Sequence, residues 1–446
     1  MKQILWFRRD LRVEDSALLE NAKGEVLPIF IFDEEILKSL PADDKRVTFI
    51  YQSVIDLKLK LLKMNLDLAI FYGKPKEIFS KLKKFGFDEV LCSVDFDSYA
   101  KKRDDEIDKI IPLKRFIDSF ILDPSKHLKN DGTPYKVFTP FYKSLNLLTQ
   151  SNHIEQRAIS DNILLYPFAY IEVPTLESMG FKTATLPEIL TKGVKKVLEE
   201  IPKKLSNYKE DRDFFYKDAT SNLSVFLRFG IISPIMVFNY VRNMKDSEFF
   251  IRELFWREFY NYILFHFPNS EFDNFSGIDI NWNENEDDFI RWCEGNTGVP
   301  IIDAAMRHLN ETGFMHNRLR MIVASFLTKN LFIDWKKGEK YFALKLLDYE
   351  ASSNIGSWQW GASTGADAAP YFRVFNPYTQ SKKFDEKGIF IKSVIKELKD
   401  LDSRLFHIEN GVHSDLFLSY PKAMVDISLS RKRAIEKFKE ARNETL

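Results

Sequence analysis

Apolar runs of strand length recur through the first 125 residues, at 3–7, 25–32, 66–72, 88–94 and 116–122. Helix-like stretches at 47–64, 75–85 and 98–111 separate them. Runs without polar alternation, spaced by helices, predict a parallel sheet covered on both faces. Residues 1–125 are therefore expected to form a doubly wound, Rossmann-like α/β domain. From 126 to 195 the periodicity weakens and prolines recur (Pro134, Pro140, Pro167, Pro174, Pro187). That texture predicts a surface connector with short helices at most. Beyond 196 the strand signal ends. Apolar residues then fall at three- and four-residue spacing, clearest at 301–310, 317–328 and 339–347. The region 196–446 is expected to be all-helical, with a short charged tail after Tyr420.

Composition narrows this picture. The chain has 446 residues, 45% hydrophobic and 29% charged, enough for several domains with a large core. Lys+Arg and Asp+Glu both number 65, which excludes holding nucleic acid by bulk positive charge. The balance is a cancellation between segments. Residues 246–300 carry 3 basic and 12 acidic side chains, whereas 301–345 carry 8 and 4, and 371–396 carry 6 and 2. A local phosphate-binding face is thus compatible with neutrality. Two distant cysteines, Cys92 and Cys293, exclude a disulfide framework and suit a reducing compartment. The apolar opening Ile4-Leu5-Trp6-Phe7 is cut off by Arg8 and Arg9, too soon for a signal-peptide core, and no run reaches membrane-spanning length. A cytoplasmic protein without membrane contact is expected.

The usual enzyme signatures are missing: Gly-x-Gly-x-x-Gly, the phosphate loop, His-Glu-x-x-His and Gly-x-Ser-x-Gly. The seven histidines lack metal-ligand spacing, so no metal is expected. A parallel sheet without a nucleotide fingerprint places the chemistry in the helical half. Six of the seven tryptophans (256, 282, 292, 335, 358, 360) lie there. Glu253, Trp256, Arg257 and Tyr260 fall at i, i+3, i+4 and i+7, a face that reads as the wall of a polar cavity or as a mixed packing surface. Asn317, Arg320 and Met321 share another face, with Arg318 turned elsewhere, toward a phosphate. Thr220-Ser221-Asn222-Leu223-Ser224 precedes an apolar helix. Its hydroxyls suit either phosphate oxygens or an ordinary N-cap. The segment 348–360 packs acids, amides and two tryptophans together, and Gly356, Gly361 and Gly365 predict a turning structure more than a simple helix.

Longer motifs carry a family resemblance. Trp6-Phe7-Arg8-Arg9-Asp10-Leu11-Arg12 and Lys136-Val137-Phe138-Thr139-Pro140-Phe141 resemble segments of the cryptochrome/photolyase family. So does a nearly continuous stretch from Thr220 to about Phe390, including Asp303-Ala304-Ala305-Met306-Arg307, His316 to Met321 and Trp358 to Arg373. The chain is most similar to the class I branch that repairs cyclobutane pyrimidine dimers in DNA.

The resemblance implies a non-covalent, U-shaped FAD in the helical domain, fully reduced when active. It implies cofactor contacts from Tyr208, Thr220, Ser221, Leu223, Ser224, Phe250, Arg257, Asn317, Arg320, Asp348, Glu350 and Asn354, with Arg320–Asp348 an ion pair beside the flavin ring and Asn354 facing N5. It assigns Glu253, Trp256, Asn317, Arg318, Met321 and Trp360 to a flipped-out lesion. Trp358, Trp335 and Trp292 are expected to carry an electron from the surface to photoexcited flavin. The (6-4) branch places histidines where this chain has Asn317 and Met321, which points to cyclobutane dimers. A monomer acting on dimer-containing DNA follows. The alternative is a cryptochrome-type blue-light receptor; the complete lesion set and the absence of a long C-terminal extension weigh against it.

Four positions depart from the family pattern. Asn222 replaces an arginine, Glu350 an aspartate, and Phe250 and Phe314 tryptophans. A second, antenna chromophore is also implied. Folate-binding relatives have a glutamate near Tyr99 that is missing here, so a deazaflavin, another flavin or an empty site all stay open.

Overall fold

The computed structural model describes all residues except 152–153, 170, 415–418 and 445–446. The chain divides into two compact units. One comprises Met1–Tyr135, Thr139–Leu205 and Ser221–Pro268; the other comprises Lys136–Phe138, Ser206–Thr220 and Asn269–Leu446.

The first unit is built on a parallel sheet of β1 (Lys2–Phe7), β2 (Gly24–Asp33), β3 (Ala69–Gly73), β4 (Glu89–Ser93), β5 (Leu113–Phe116) and β6 (Ile163–Leu165). The order is β3-β2-β1-β4-β5, with β6 pairing to β2. Central strands alternate their apolar side chains between two buried faces. Leu5, Phe7, Val26 and Phe30 meet Val54, Leu57 and Leu61 of the helix Lys45–Leu62. Ile4, Trp6, Ile29 and Val90 meet Ile78, Phe79 and Ile107 on the opposite side. Each such fully buried side chain contributes about 1.5–3 kcal/mol, which is why these strands show no polar alternation.

The same unit includes the helices Ser224–Arg228, Pro234–Val241 and Glu248–His266. Phe49 lies 5.9 Å from the rings of both Phe226 and Phe229. Gly230 (φ +62°) passes so close to Arg9 that a Cβ would stand 2.2 Å from its carbonyl oxygen, so only glycine fits. Arg12 and Asp118, both fully buried, pair at 2.8 Å.

The fifth strand is Leu113–Phe116, not 116–122. Phe120 is buried but stacks on Phe96 (5.1 Å), and the Ile121 and Leu122 amides donate to the Glu258 carboxylate at 3.0 and 3.3 Å. A carboxylate replaces the ladder that a strand would have needed. The connector also holds more structure than expected: the 14-residue helix Phe138–Ser151, and β6. Pro140 falls in the first turn of that helix, where a missing N–H costs nothing. Finally, the charged tail is an 18-residue helix, Ile427–Glu444. Its buried positions Ile427, Ser430, Ala434, Phe438 and Ala441 form a narrow stripe of mostly small residues.

The second unit is helical. Its core gathers Trp292, Met306, Leu309, Val323, Phe326, Trp335, Phe342 and Trp358. The helix expected over 317–328 runs as Asn317–Ser325 and then widens into a buried π turn, Phe326–Asn330. Within it Lys329 donates to the Ala362 carbonyl (3.0 Å) and Ser363 Oγ (2.8 Å), with its ammonium 3.5 Å from the Phe438 ring centre. The glycine-containing segment is a regular helix, Ala351–Ala362, contrary to the expected turning structure. Gly361 serves close packing: a Cβ there would lie 3.2 Å from Ala324 Cβ.

Candidate functional site

In the helical unit, His316 begins the helix Asn317–Ser325 by accepting the Arg318 amide on Nδ1 at 3.1 Å. Burial pushes its imidazole down to about 4, against the opposing pull of the Arg212 carbonyl and Asp213, so the ring is neutral. Four residues along, Arg320 donates to both oxygens of Asp348 (2.8 and 3.1 Å) and to the Met315 carbonyl (2.8 Å). The acid is 6% exposed and the guanidinium 28%, so a fixed cation faces outward from a buried anion. Asn317 Nδ2 lies 3.9 Å from Met321 Sδ on the same face. Arg318 does turn away, but to Asp213 (2.7 Å) and over the Phe384 ring (4.7 Å), not to an open surface.

The helix Ala351–Ala362 presents Asn354, Trp358 and Trp360. Both hydrogen bonds from the Asn354 amide nitrogen go to Glu339, at 3.1 Å to its carbonyl and 3.0 Å to Oε1. That fixes the amide orientation and leaves its oxygen for another partner. Glu339 was not singled out from sequence. Burial raises its carboxyl, while Asn354 and Tyr349 oppose the rise. Glu350 stands at the N-cap and accepts from Ser353 Oγ at 3.1 Å. Gln359 anchors the helix by donating to the Ser270 carbonyl (2.7 Å) and accepting from the Phe275 amide (2.9 Å). Tyr208 is buried under Arg212, and Thr220 is half-buried.

The tryptophans differ from expectation. Trp358 and Trp335 are buried, and Trp335 donates to Asn274 Oδ1 at 2.8 Å. Trp292, the third member of the chain expected to lead from the surface, has no exposure at all. Its ring lies 6.0 Å from Trp358 and nearly parallel to the rings of Phe289 (6.0 Å) and Phe342 (6.2 Å). Residue type alone did not reveal this. Trp282, half-buried against Phe332 and Phe438, reaches solvent where Trp292 does not.

In the first unit, Glu253, Trp256, Arg257 and Tyr260 all lie on Glu248–His266. Trp256 packs 5.6 Å from Tyr260, and Phe250 is buried. The spacing that suggested a polar wall fails for Arg257. Its guanidinium donates to the Ser119 carbonyl (2.7 Å) and covers Phe120, a contact 138 residues away in sequence. The 221–224 segment is not an ordinary cap. Leu223 occupies the N-cap of Ser224–Arg228 without a side-chain bond, Ser221 Oγ accepts from the Leu223 amide at 3.4 Å, and Asn222 adopts φ +59°. An uncapped first turn beside hydroxyls suits an anion. At the C-terminal end of β2, Tyr99 donates to Asp33 at 2.6 Å, and Arg103 covers Tyr99 and Trp6. Among the described residues no His/Cys/Asp/Glu cluster could hold a metal, and no helix is long and apolar enough to cross a membrane.

Comparison with known proteins matches this arrangement to named families. The family model described as DNA photolyase matches residues 3–157, and that described as the FAD binding domain of DNA photolyase matches 250–440. A deoxyribodipyrimidine photo-lyase of Alkalihalophilus pseudofirmus is 36% identical, covering 98% of this chain and 97% of its own. The archaeal photolyase of Sulfolobus tokodaii, solved with two FAD molecules, is 31% identical with a TM-score of 0.84 over 99% of this chain and all of its own. A Synechocystis cryptochrome reaches the same TM-score at 25% identity, covering 98% of each chain.

Proposed function

The chain belongs to the cryptochrome/photolyase family, and on that premise we propose that it is a deoxyribodipyrimidine photo-lyase of the class I kind, repairing cyclobutane pyrimidine dimers in DNA. The observation that carries the reading is the outward-facing Arg320 locked by Asp348 on the helix that also displays Asn317 and Met321.

The residues of the helical unit fit a flavin. A fixed guanidinium beside the ring favours an anionic, reduced form. The Asn354 oxygen, left available by Glu339, provides an acceptor for a ring N–H. Tyr208, Thr220, Ser221, Leu223, Ser224, Phe250 and Glu350 are proposed to hold the remainder of the molecule. Bound FAD supplies the light absorption and the electron that splits the cyclobutane ring. The protein's part is to extrude and hold the lesion. Trp256 and Trp360 stack on the two bases, at roughly 1–3 kcal/mol each, offsetting the cost of unstacking. Glu253 and Asn317 bond the base edges and Met321 touches the lesion.

Arg318 is proposed to contact a phosphate while keeping its pairing with Asp213. Arg257 positions the helix and is not proposed to touch cofactor, since its guanidinium bonds Ser119. The functional division assigned is 1–125 for an antenna-type domain, 126–195 for the connector and 196–446 for FAD binding. The two-FAD relative supports a second, antenna chromophore; in the α/β domain the strand ends near Asp33 and Tyr99 are the expected location for a ligand of an open parallel sheet. The protein is proposed to act as a cytoplasmic monomer.

The test is direct. The purified, flavin-reduced protein is illuminated with blue light in the presence of a thymine-dimer oligonucleotide. Loss of dimers is expected. Dimers that persist while the flavin stays bound and photoreducible would overturn the assignment.

A further inference from the structure

Trp358 is fully enclosed, and the indole packed against it at 6.0 Å is Trp292. Phe289 and Phe342 lie almost parallel to the Trp292 ring at 6.0 and 6.2 Å, and its N–H has no hydrogen-bond partner among the described residues. An oxidised Trp292 therefore has nowhere to release its proton. It must return the charge or pass it on. The next ring outward is Tyr341, 5.9 Å away at 63°. Its hydroxyl donates to Asn310 Oδ1 at 2.5 Å and lies 2.9 Å from the Cys293 carbonyl, at a half-buried position next to solvent. Along this path Tyr341 is where a hydrogen-bonded, ionisable proton first meets water. Burial holds the phenol protonated in the resting state, so the proton leaves only on oxidation.

We propose that Tyr341 is the terminal electron donor of a branch Trp358–Trp292–Tyr341, separate from any route through Trp335. The proposal rests on the reading that flavin binds beside Trp358. Trp358 would give one electron to photoexcited oxidised flavin bound beside it. Trp292 refills Trp358, and Tyr341 refills Trp292. The phenol proton passes to water at the Asn310 edge, leaving a neutral tyrosyl radical. An external thiol returns one hydrogen atom to the phenoxyl oxygen and is itself oxidised to a thiyl radical, two of which pair as a disulfide.

The experiment uses the flavin-loaded full chain, flash-illuminated and followed by transient absorption and electron paramagnetic resonance, with ring-deuterated tyrosine to identify the radical. Wild-type protein is expected to yield a tyrosyl signal whose lines narrow on deuteration. Tyr341→Phe and Trp292→Phe lose that signal while keeping flavin content and circular dichroism, and Trp335→Phe retains it. Trp358→Phe loses both tryptophanyl and tyrosyl signals. A tryptophanyl radical without any tyrosyl signal in the wild type, or a tyrosyl signal unchanged in Tyr341→Phe, overturns the branch alone. Absence of every protein radical in the wild type overturns the branch together with the placement of flavin beside Trp358.

Discussion

Gly338→Ala tests the packing around Trp358 most sharply. Gly338 lies within the helix Trp335–Lys345, where alanine should help: glycine is less favourable there by about 0.8–1 kcal/mol. The tertiary structure opposes this. A Cβ at 338 would stand 2.3 Å from Trp358 Cη2, 2.5 Å from Cζ3 and 2.7 Å from Leu327 Cδ2. Trp358 cannot retreat, because Phe342 meets its ring at 5.0 Å and Trp292 at 6.0 Å. Forcing one carbon into such a core costs about 1–3 kcal/mol, which outweighs the propensity gain. Set against that gain of about 0.8–1 kcal/mol, the net loss is up to about 2 kcal/mol, lowering the melting temperature of a unit this size by up to roughly 8 °C. Calorimetry of the flavin-loaded protein measures it, and near-ultraviolet circular dichroism should register the displaced indole. A variant that melts at the wild-type temperature or higher, with an unchanged tryptophan spectrum, would refute the claim that Gly338 fixes the indole.

Other consequences are as definite. His316 has its folded pKa near 4 against 6.5 when unfolded, so the unfolded chain binds its proton first and stability falls as pH drops from about 6.5 to about 4. His316→Asn keeps a cap acceptor, so its stability–pH curve should be flatter across that window by up to about 3 kcal/mol, and denaturation at pH 7 and pH 4.5 checks this. Trp256→Ala removes one stacking wall and should weaken binding of a thymine-dimer oligonucleotide by about 5- to 150-fold, read by fluorescence anisotropy; unchanged affinity would remove Trp256 from the lesion site. Lys329→Met keeps volume but leaves the Ala362 carbonyl and Ser363 hydroxyl without their donor, so denaturant unfolding should show a loss of about 1–3 kcal/mol.

Much of this was legible without coordinates because it depends on neighbours in sequence. The central strands are covered on both faces and therefore read as uninterrupted apolar runs. The edge strand β5 exposes Lys114 and Arg115 and gave no such signal, while the apolar run after it turned out to be a loop whose amides reach Glu258. The helix Ile427–Glu444 hid for a related reason, since small residues occupy most of its buried stripe and charges fill the rest.

Helical spacing put Asn317, Arg320 and Met321 on one face, and the family motifs paired Arg320 with Asp348; the Asn317–Met321 contact and the Arg320–Asp348 pair are both present. Partners brought from far along the chain were not legible: Arg257 to Ser119, Arg318 to Asp213, Asn354 to Glu339 and Trp358 to Gly338. Nor was the full burial of Trp292. Sequence by itself determined what depends on local periodicity and residue chemistry: the parallel sheet, the helical half and the kinds of groups on offer. Which rings touch, which cation finds which carboxylate and which indole reaches water were decided only by tertiary packing, because those interactions join residues that chain spacing leaves unrelated.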